Sequence, residues 1–306
     1  MPVLTDLIAT LQDGHAYIAN DDGEILAAYG HKWNTFRTER IEIPYKTYLA
    51  STALPKIESP KSFHQYLTHL HRRVIEQQFL DASKQMHDAF LSAPLSNNIQ
   101  YLSIDHLSEF SDGNTLEDDL GVVDEVMAAF LPRLRQADGL IIDLRWNAGG
   151  KDQLGLHLLS HLINQPLSIG SKRTKTYSGF LPENTITVKP SHEQPYLGPI
   201  VVLTSPLTIS AAEVFVLGLK ARDHVKLFGE STNGSFSDTL VKQLPNGWIF
   251  ALSNEQYLDS SGVHYESRGI PADKEFRYLI WEDIRQGQDP ALSAALEYLS
   301  GVKNQL

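Results

Sequence analysis

The chain reads as an α/β protein: a largely parallel sheet covered by helices, preceded by a mixed, mainly helical segment. Two patterns predict this. Runs such as Gly139–Leu144 and Ile200–Leu203 are apolar throughout, without alternation, as in strands buried on both faces. From residue 99 onward such runs alternate with segments of helical period, the order expected of parallel pairing with crossover helices. We therefore divide the chain into an N-terminal helical or mixed subdomain, 1–98, and an α/β domain, 99–306.

The elements follow in order. Leu4, Leu7, Ile8 and Leu11 set a helical period that ends at Gln12-Asp13-Gly14. Residues 16–60 mix short strand candidates, Ala16–Ala19 and Ile41–Ile43, with loops containing Pro and Gly. Ser62–Leu91 predicts one long amphipathic helix or two, with Phe63, Leu67, Leu70, Val74, Ile75, Phe79, Met86 and Phe90 on the apolar side. The acidic, Gly/Ser/Asn-rich stretch Ser108–Asp119 predicts a loop. Strands are expected at 99–104, 139–144, 200–203, 225–228 and 248–252, and helices at 120–134, 153–163, 211–221 and 290–299.

Composition excludes several classes. With 306 residues and 42% hydrophobic content, the chain can bury a large core. A net charge of −11 and a pI near 5.5 argue against nucleic acid and anionic membranes as partners. The absence of cysteine removes disulfides, thiolate metal sites and cysteine nucleophiles. No apolar run approaches the ~20 residues of a membrane-spanning helix. Met1–Asp6 has no basic segment leading into an apolar one, so no export signal is expected in the chain as written.

Four local features carry chemistry. In Leu203-Thr-Ser-Pro-Leu-Thr-Ile-Ser210-Ala-Ala-Glu213, a strand and a short turn deliver a serine to the start of an Ala-rich helix. Free N–H groups and the positive end of the helix dipole favour developing negative charge there. Ser210-x-x-Glu213 equally fits a capping box, with no chemistry implied. In Gly139-Leu-Ile-Ile-Asp-Leu-Arg-Trp-Asn-Ala-Gly-Gly150, a buried strand ends in Asp143 and Arg145, then turns through Asn147 and paired glycines. Such a turn permits close backbone approach to a carbonyl or oxyanion, but lacks the spacing of a nucleotide-binding loop. His15 follows a helix, and Glu266 precedes a Gly-Ile-Pro turn after Gly229-Glu-Ser-Thr-Asn-Gly-Ser235. Each of these two alone reads as a surface residue.

Taken together, these residues resemble the C-terminal processing (tail-specific) serine peptidase family, which includes the tricorn core. The resemblance rests on Asp-Leu-Arg-x-Asn-x-Gly-Gly (143–150), Thr-x-Ser-Ala-Ala-Glu (208–213) and Gly-Glu-x-Thr-x-Gly (229–234). Weaker matches in the expected order are Leu-x-Asp-Gly-His (11–15), Tyr-Glu-x-x-Gly-Ile-x-x-Asp (265–273) and Asp-x-Ala-Leu-x-x-Ala-Leu (289–296). It implies a Clp protease/crotonase-like fold of repeated ββα units, peptide or unfolded-protein substrates and no cofactor. Homo-oligomerisation and the compartment are left open, since relatives are often exported.

The resemblance also implies roles. The Ser–Lys branch of the family has its basic lysine where this chain has Ser235, so the tricorn-like pattern applies: Ser210 as nucleophile, His15 as base and Glu266 as the group orienting the imidazole. The oxyanion would be held by the N–H groups of Gly149 and Ala211, with Gly150 as the alternative to Gly149. Asp143, Arg145, Asn147, Thr208 and Glu213 would support the site. Gly14 stands where the tricorn-like pattern has a serine. Two rival readings share the fold: a crotonase-like acyl-CoA enzyme, and a non-catalytic protein binding apolar ligands. Residues 19–98 show no carboxylate-gripping Gly-Leu-Gly-Phe loop, so a helical subdomain or lid is expected in place of a PDZ module. No metal site is expected: His157 and His161 lie four apart on a helix but show no third ligand, and His69 and His71 do not share a face. Lys226 and Lys242 rank below His15 as bases.

Overall fold

The computed structural model describes residues 2–11, 13–29, 31–50, 56–113, 115–191 and 194–302. Gln12 at the expected end of the first helix, and 51–55 in the expected loop region, lie outside the described residues. The chain runs α1 (Pro2–Leu11), β1 (Tyr17–Ala19), β2 (Ile25–Ala28), α2 (His31–Arg37), a π-helical turn (Thr38–Glu42), α3 (Ile43–Leu49) and α4 (Pro60–Glu76). Then come β3 (Lys84–His87), β4 (Phe90–Leu95), β5 (Ile99–Ile104), α5 (Leu116–Leu134), β6 (Gly139–Asp143) and α6 (Asp152–Ser160). They are followed by β7 (Leu167–Thr176), β8 (Gly179–Phe180), β9 (Asn184–Val188), β10 (Ile200–Thr204), α7 (Ala211–Ala221) and β11 (Val225–Gly229). The last elements are β12 (Thr239–Gln243), β13 (Ile249–Ser253), β14 (Glu255–Asp259), β15 (Lys274–Glu275), α8 (Trp281–Arg285) and α9 (Pro290–Val302).

A seven-stranded sheet, β15-β11-β10-β6-β5-β4-β3, forms the centre. Its β5, β6, β10, β11 and β15 pair in parallel, and β4 and β3 join antiparallel at one edge. The continuous apolar runs have the predicted cause. In β6, Leu140 and Ile142 face the layer of α5, α6 and α7 while Ile141 faces α9; β10 divides Ile200 and Val202 from Val201 and Leu203 in the same way. With both faces covered, polar residues enter these two strands only at their C-terminal ends, as Asp143 and Thr204. A second sheet, β12-β13-β1-β2, carries the His15 turn, and β7 pairs with β14, β8 and β9. Among the described residues no helix is long and apolar enough to cross a membrane.

Three expectations need correction. Ile41–Ile43 is helical: Ile41, Tyr45 and Tyr48 form one buried stripe at helical spacing against Phe63 and Trp281. The long helix over 62–91 stops at Glu76, and Phe90–Leu95 instead pairs with β5. Pairing with a buried neighbour outweighed a helical period that Met86 and Phe90 continue in the sequence. On either side of residue 98, β4 and β5 pair antiparallel in one sheet. The loop over 108–119 also ends early, because the Thr115 side chain accepts from Asp118 N–H and starts α5 at Leu116.

One polar cluster spans the buried end of this sheet. Arg145, 2% exposed, donates Nε and Nη2 to Asp143 at 2.9 and 2.6 Å, and Nη1 to Asp289 Oδ1 at 3.0 Å. Tyr101 donates to Asp143 at 2.8 Å, and His71 Nε2 lies 2.9 Å from Asp289 Oδ2. Asp289 also accepts the Leu292 N–H at the start of α9. His71, set aside above as a metal ligand, therefore joins α4 to the residue that starts α9. Burial pushes the Asp289 carboxyl up, but the Arg145 charge and the His71 contact outweigh it and hold it well below the usual carboxylate range. Its stabilising contribution is complete above about pH 4 and is lost as pH falls toward the depressed folded value.

Asp289→Ala strips Arg145 of one carboxylate in a dry site and α9 of its cap. A loss of about 3–5 kcal/mol is expected in urea denaturation at pH 7. A loss under about 1 kcal/mol would contradict the role given to this cluster.

Candidate active site

The C-terminal ends of β6, β10 and β11 lie side by side, the usual place for a site in a parallel sheet. Each strand leaves through a turn that carries one of the motifs. Asn147 holds the first two turns together. Its Nδ2 donates to the Ile104 carbonyl at 3.0 Å, its Oδ1 accepts from Gly149 N–H at 2.9 Å, and its carbonyl accepts from Ile209 N–H at 3.0 Å. Thr208 ties in the third: its hydroxyl donates to the Leu144 carbonyl at 2.9 Å, and its carbonyl accepts from Asn233 N–H at 2.9 Å.

Ser210 sits at the head of α7 with φ 58° and ψ −125°, a conformation that L residues rarely adopt. Such a backbone costs on the order of 1–3 kcal/mol and persists only where the surroundings enforce it. A sharp strand-to-helix turn with an exposed hydroxyl is a recurring platform for a nucleophilic serine. The Glu213 arm of the predicted capping box is present: Ser210 N–H donates to Glu213 Oε2 at 3.2 Å. Glu213 N–H in turn bonds the Ser210 carbonyl at 2.7 Å.

Glu213 does more than close a box. Fully buried, it also accepts from Gly234 N–H at 2.6 Å and Ser235 N–H at 2.7 Å. One carboxyl thereby links the Ser210 turn to the segment after β11. Burial pushes this group up to about 7, opposed by the hydrogen bonds from Thr232, Gly234, Ser235 and Ser210.

The paired glycines press on this turn. A Cβ on Gly149 (φ 91°) would stand 2.6 Å from the Ile209 carbonyl and 2.8 Å from Ser210 Cβ, so only glycine fits. The Gly149 N–H, expected to face the oxyanion, is instead taken by Asn147 Oδ1. The next peptide turns its carbonyl to Leu107 N–H at 2.8 Å, which in a trans peptide aims the Gly150 N–H the opposite way. A Cβ on Gly149 would lie 3.0 Å from the Ala211 nitrogen, so this turn stands beside the start of α7, and the N–H of Gly150, the alternative donor, is not the one that Asn147 occupies.

His15 and Glu266 approach the same region from separate segments. The His15 turn is pinned by Asp13, whose carboxylate accepts from His15 N–H at 2.9 Å, Ser253 N–H at 2.6 Å and Ser253 Oγ at 2.7 Å. A Cβ on Gly14 would overlap the Ser235 hydroxyl, so the two departures from the family pattern, Gly14 and Ser235, fit against each other. Burial lowers the His15 imidazole below 6.5, against the pull of Asp13 and Asp238, and so favours its neutral form. Glu266 Oε2 accepts from Phe236 N–H at 3.0 Å and Ser237 N–H at 3.2 Å. Burial pushes its carboxyl up to about 8, with Glu213 and Asp13 adding to the rise. His15 Nδ1 and Glu266 Oε1 are both buried without a hydrogen bond, and no hydrogen bond joins His15 to Ser210.

Two participants carry no sequence signal. Lys32 Nζ, on α2, donates to the carbonyls of Thr232 and Arg268, each at 2.6 Å, clamping the segments that hold Glu213 and Glu266. Arg40, buried, donates to Glu230 at 3.0 Å and to the Tyr278 carbonyl at 3.1 Å. Both are cations in helices without motifs, and only the packing of that layer brings them here. Lys226 and Lys242 are exposed; Lys226 faces Asp273 at 3.9 Å.

Comparison with known proteins identifies the family and the fold. The model of Peptidase family S41 matches residues 98–276, more than half of the chain. A candidate peptidase from Parabacteroides merdae is 21% identical and superposes with a TM-score of 0.72, covering 97% of this chain and 81% of that one. Mature CPAF complexed with lactacystin is 17% identical (TM-score 0.55), covering 70% of this chain and 53% of that one, so the match spans about half of the longer protein. A candidate S41 protease from Bacteroides fragilis is 21% identical (TM-score 0.53), with 70% and 57% covered. At such identities the likeness establishes the fold. None of the curated proteins compared with the chain matches it significantly. The chain belongs to Peptidase family S41, the C-terminal processing serine peptidases, and has their Clp protease/crotonase-like fold.

Proposed function

We propose that this serine peptidase cleaves peptide bonds through an acyl-enzyme formed on Ser210. Ser210 Oγ attacks the scissile carbonyl as His15 takes its proton, and the oxyanion is held by the N–H groups of Ala211 and Gly150. His15 then passes the proton to the leaving amine, and water, deprotonated by His15, releases the acyl group. Glu266, ionised in the active form, faces the imidazole and holds the imidazolium as His15 becomes charged. The observation carrying this reading is the strained Ser210 at the head of α7, packed on Gly149 and bound through its N–H to Glu213. The lack of a His15–Ser210 hydrogen bond is compatible with it, because catalytic hydrogen bonds often tighten only when substrate is bound. Substrates are extended or unfolded peptides reaching Ser210 beside the α2–α4 layer, which packs against Leu207 and Trp146 next to the serine turn.

Hydrolysis of unfolded casein and of fluorogenic peptides tests the assignment. Ser210→Ala and His15→Ala are each expected to lower kcat by roughly 10⁴-fold or more. Full activity in either variant would overturn the role given to that residue, and no activity in the wild type would favour the non-catalytic alternative. Gly149→Ala, which drives a methyl into the serine turn, should lower kcat about 10²-fold with the fold retained by circular dichroism.

The pH dependence follows from the signs. Activity needs a neutral His15, whose value lies below 6.5, and an ionised Glu266, whose value is raised to about 8. In the wild type kcat/KM should therefore keep rising with pH toward about 8. In Glu266→Gln that upper limb should vanish and the plateau fall, leaving only the limb of His15. An unchanged upper limb in this variant would contradict the role of Glu266.

A further inference from the structure

The two helical histidines that lacked a third ligand in the sequence gain one in the fold. α6 packs along α5, and this sets Asp124 of α5 beside His157 and His161. His157 Nε2 lies 2.8 Å and His161 Nε2 3.1 Å from the same carboxylate oxygen, Asp124 Oδ1. The two rings are 5.2 Å apart at a steep angle, and the candidate ligand atoms of all three residues lie within 4.8 Å of one another. His161 is buried, His157 is partly buried and Asp124 reaches solvent.

We propose that Asp124, His157 and His161 form a binding site for a divalent transition-metal ion of the zinc type. Two imidazole nitrogens turned onto one carboxylate oxygen are a mixed N/O donor set, which suits zinc, cobalt or nickel and not the all-oxygen shells of magnesium and calcium. Zinc bonds of ~2.0–2.2 Å in a tetrahedron separate ligand atoms by about 3.3 Å. The two His–Asp pairs, at 2.8 and 3.1 Å, need open by only a few tenths of an ångström, and the two imidazole nitrogens lie within 4.8 Å of each other. The bound form presents both Nε2 lone pairs to the metal, so each neutral ring carries its proton on Nδ1. The fourth position faces solvent and is filled by water. The backbones are set in advance, because the i, i+4 spacing and the apolar packing of α5 on α6 do not depend on the ion. The ion would clip α5 to the end of α6 remote from the Gly149–Gly150 turn. Binding to the folded state alone would raise thermal stability in proportion to occupancy.

Calorimetric titration of the full chain, stripped with chelator, with zinc chloride tests the site. One saturable site per chain is expected, with a rise in Tm. Asp124→Asn and His157→Ala change the more exposed ligands and should leave the fold intact by circular dichroism. Each should weaken zinc binding about tenfold or more and abolish the Tm rise. Cobalt(II) should give the intense visible absorption of a tetrahedral site in the wild type and not in either variant. The proposal is overturned if zinc shows no saturable binding below about millimolar, the weakest affinity of interest. It is equally overturned if both folded variants bind zinc as the wild type does. Neither readout depends on peptidase activity.

Discussion

The carboxyl of Glu213 is the constraint on which the site depends. It accepts the N–H of Ser210 and the N–H groups of Gly234 and Ser235, and so binds the turn after β10 to the turn after β11 inside a fully buried volume. Ser210 could relax its strained backbone only by releasing its N–H from Glu213, leaving a buried carboxyl short of donors. Taking away one partner of a buried polar pair costs about 1–3 kcal/mol, comparable with the strain of one unusual φ/ψ pair. The two effects oppose each other, and the hydrogen bonds hold the serine in place. The capping box and the nucleophile are thus one device: the glutamate that starts α7 is the glutamate that keeps the hydroxyl presented.

The strain is confined from all sides. Asn147 and Thr208 fasten the Ser210 turn to the ends of β5 and β6, and Gly149 fills the space where any side chain would displace it. Farther along the sheet, Arg145 joins Asp143 at the end of β6 to Asp289 at the start of α9, with His71 drawing in α4. Lys32 and Arg40 bring the helical layer against Thr232 and Glu230. Each contact uses a charge or an amide that burial makes costly to leave unpaired, so the strand ends are over-determined.

The central sheet was legible because strands covered on both faces admit only apolar residues, and Leu140–Ile142 and Ile200–Leu203 announce this directly. Ser210, Gly149, Asn147 and Thr208 were legible because tight turns and close backbone approach restrict residue type within a short span. The helical period misled where tertiary pairing claimed the residues: Met86 and Phe90 extend the apolar stripe of α4 but serve strands. Lys32, Arg40, His71 and Asp124 could not be read, since their partners lie far away in sequence and their own neighbourhoods are ordinary helix. The choice between the Gly149 and Gly150 amides was not legible for a finer reason: it turns on one side-chain bond, from Gly149 N–H to Asn147 Oδ1.

The position of the oxyanion is the most direct test of the site. The decisive measurement is a crystal structure of the chain inactivated by a small fluorophosphonate. The phosphoryl group is expected on Ser210 Oγ, with its oxygen within hydrogen-bond distance of the Ala211 and Gly150 N–H groups, the Glu213 contacts intact and His15 adjacent. Modification of another residue, or a Ser210 adduct whose oxygen faces away from both amides, would contradict it.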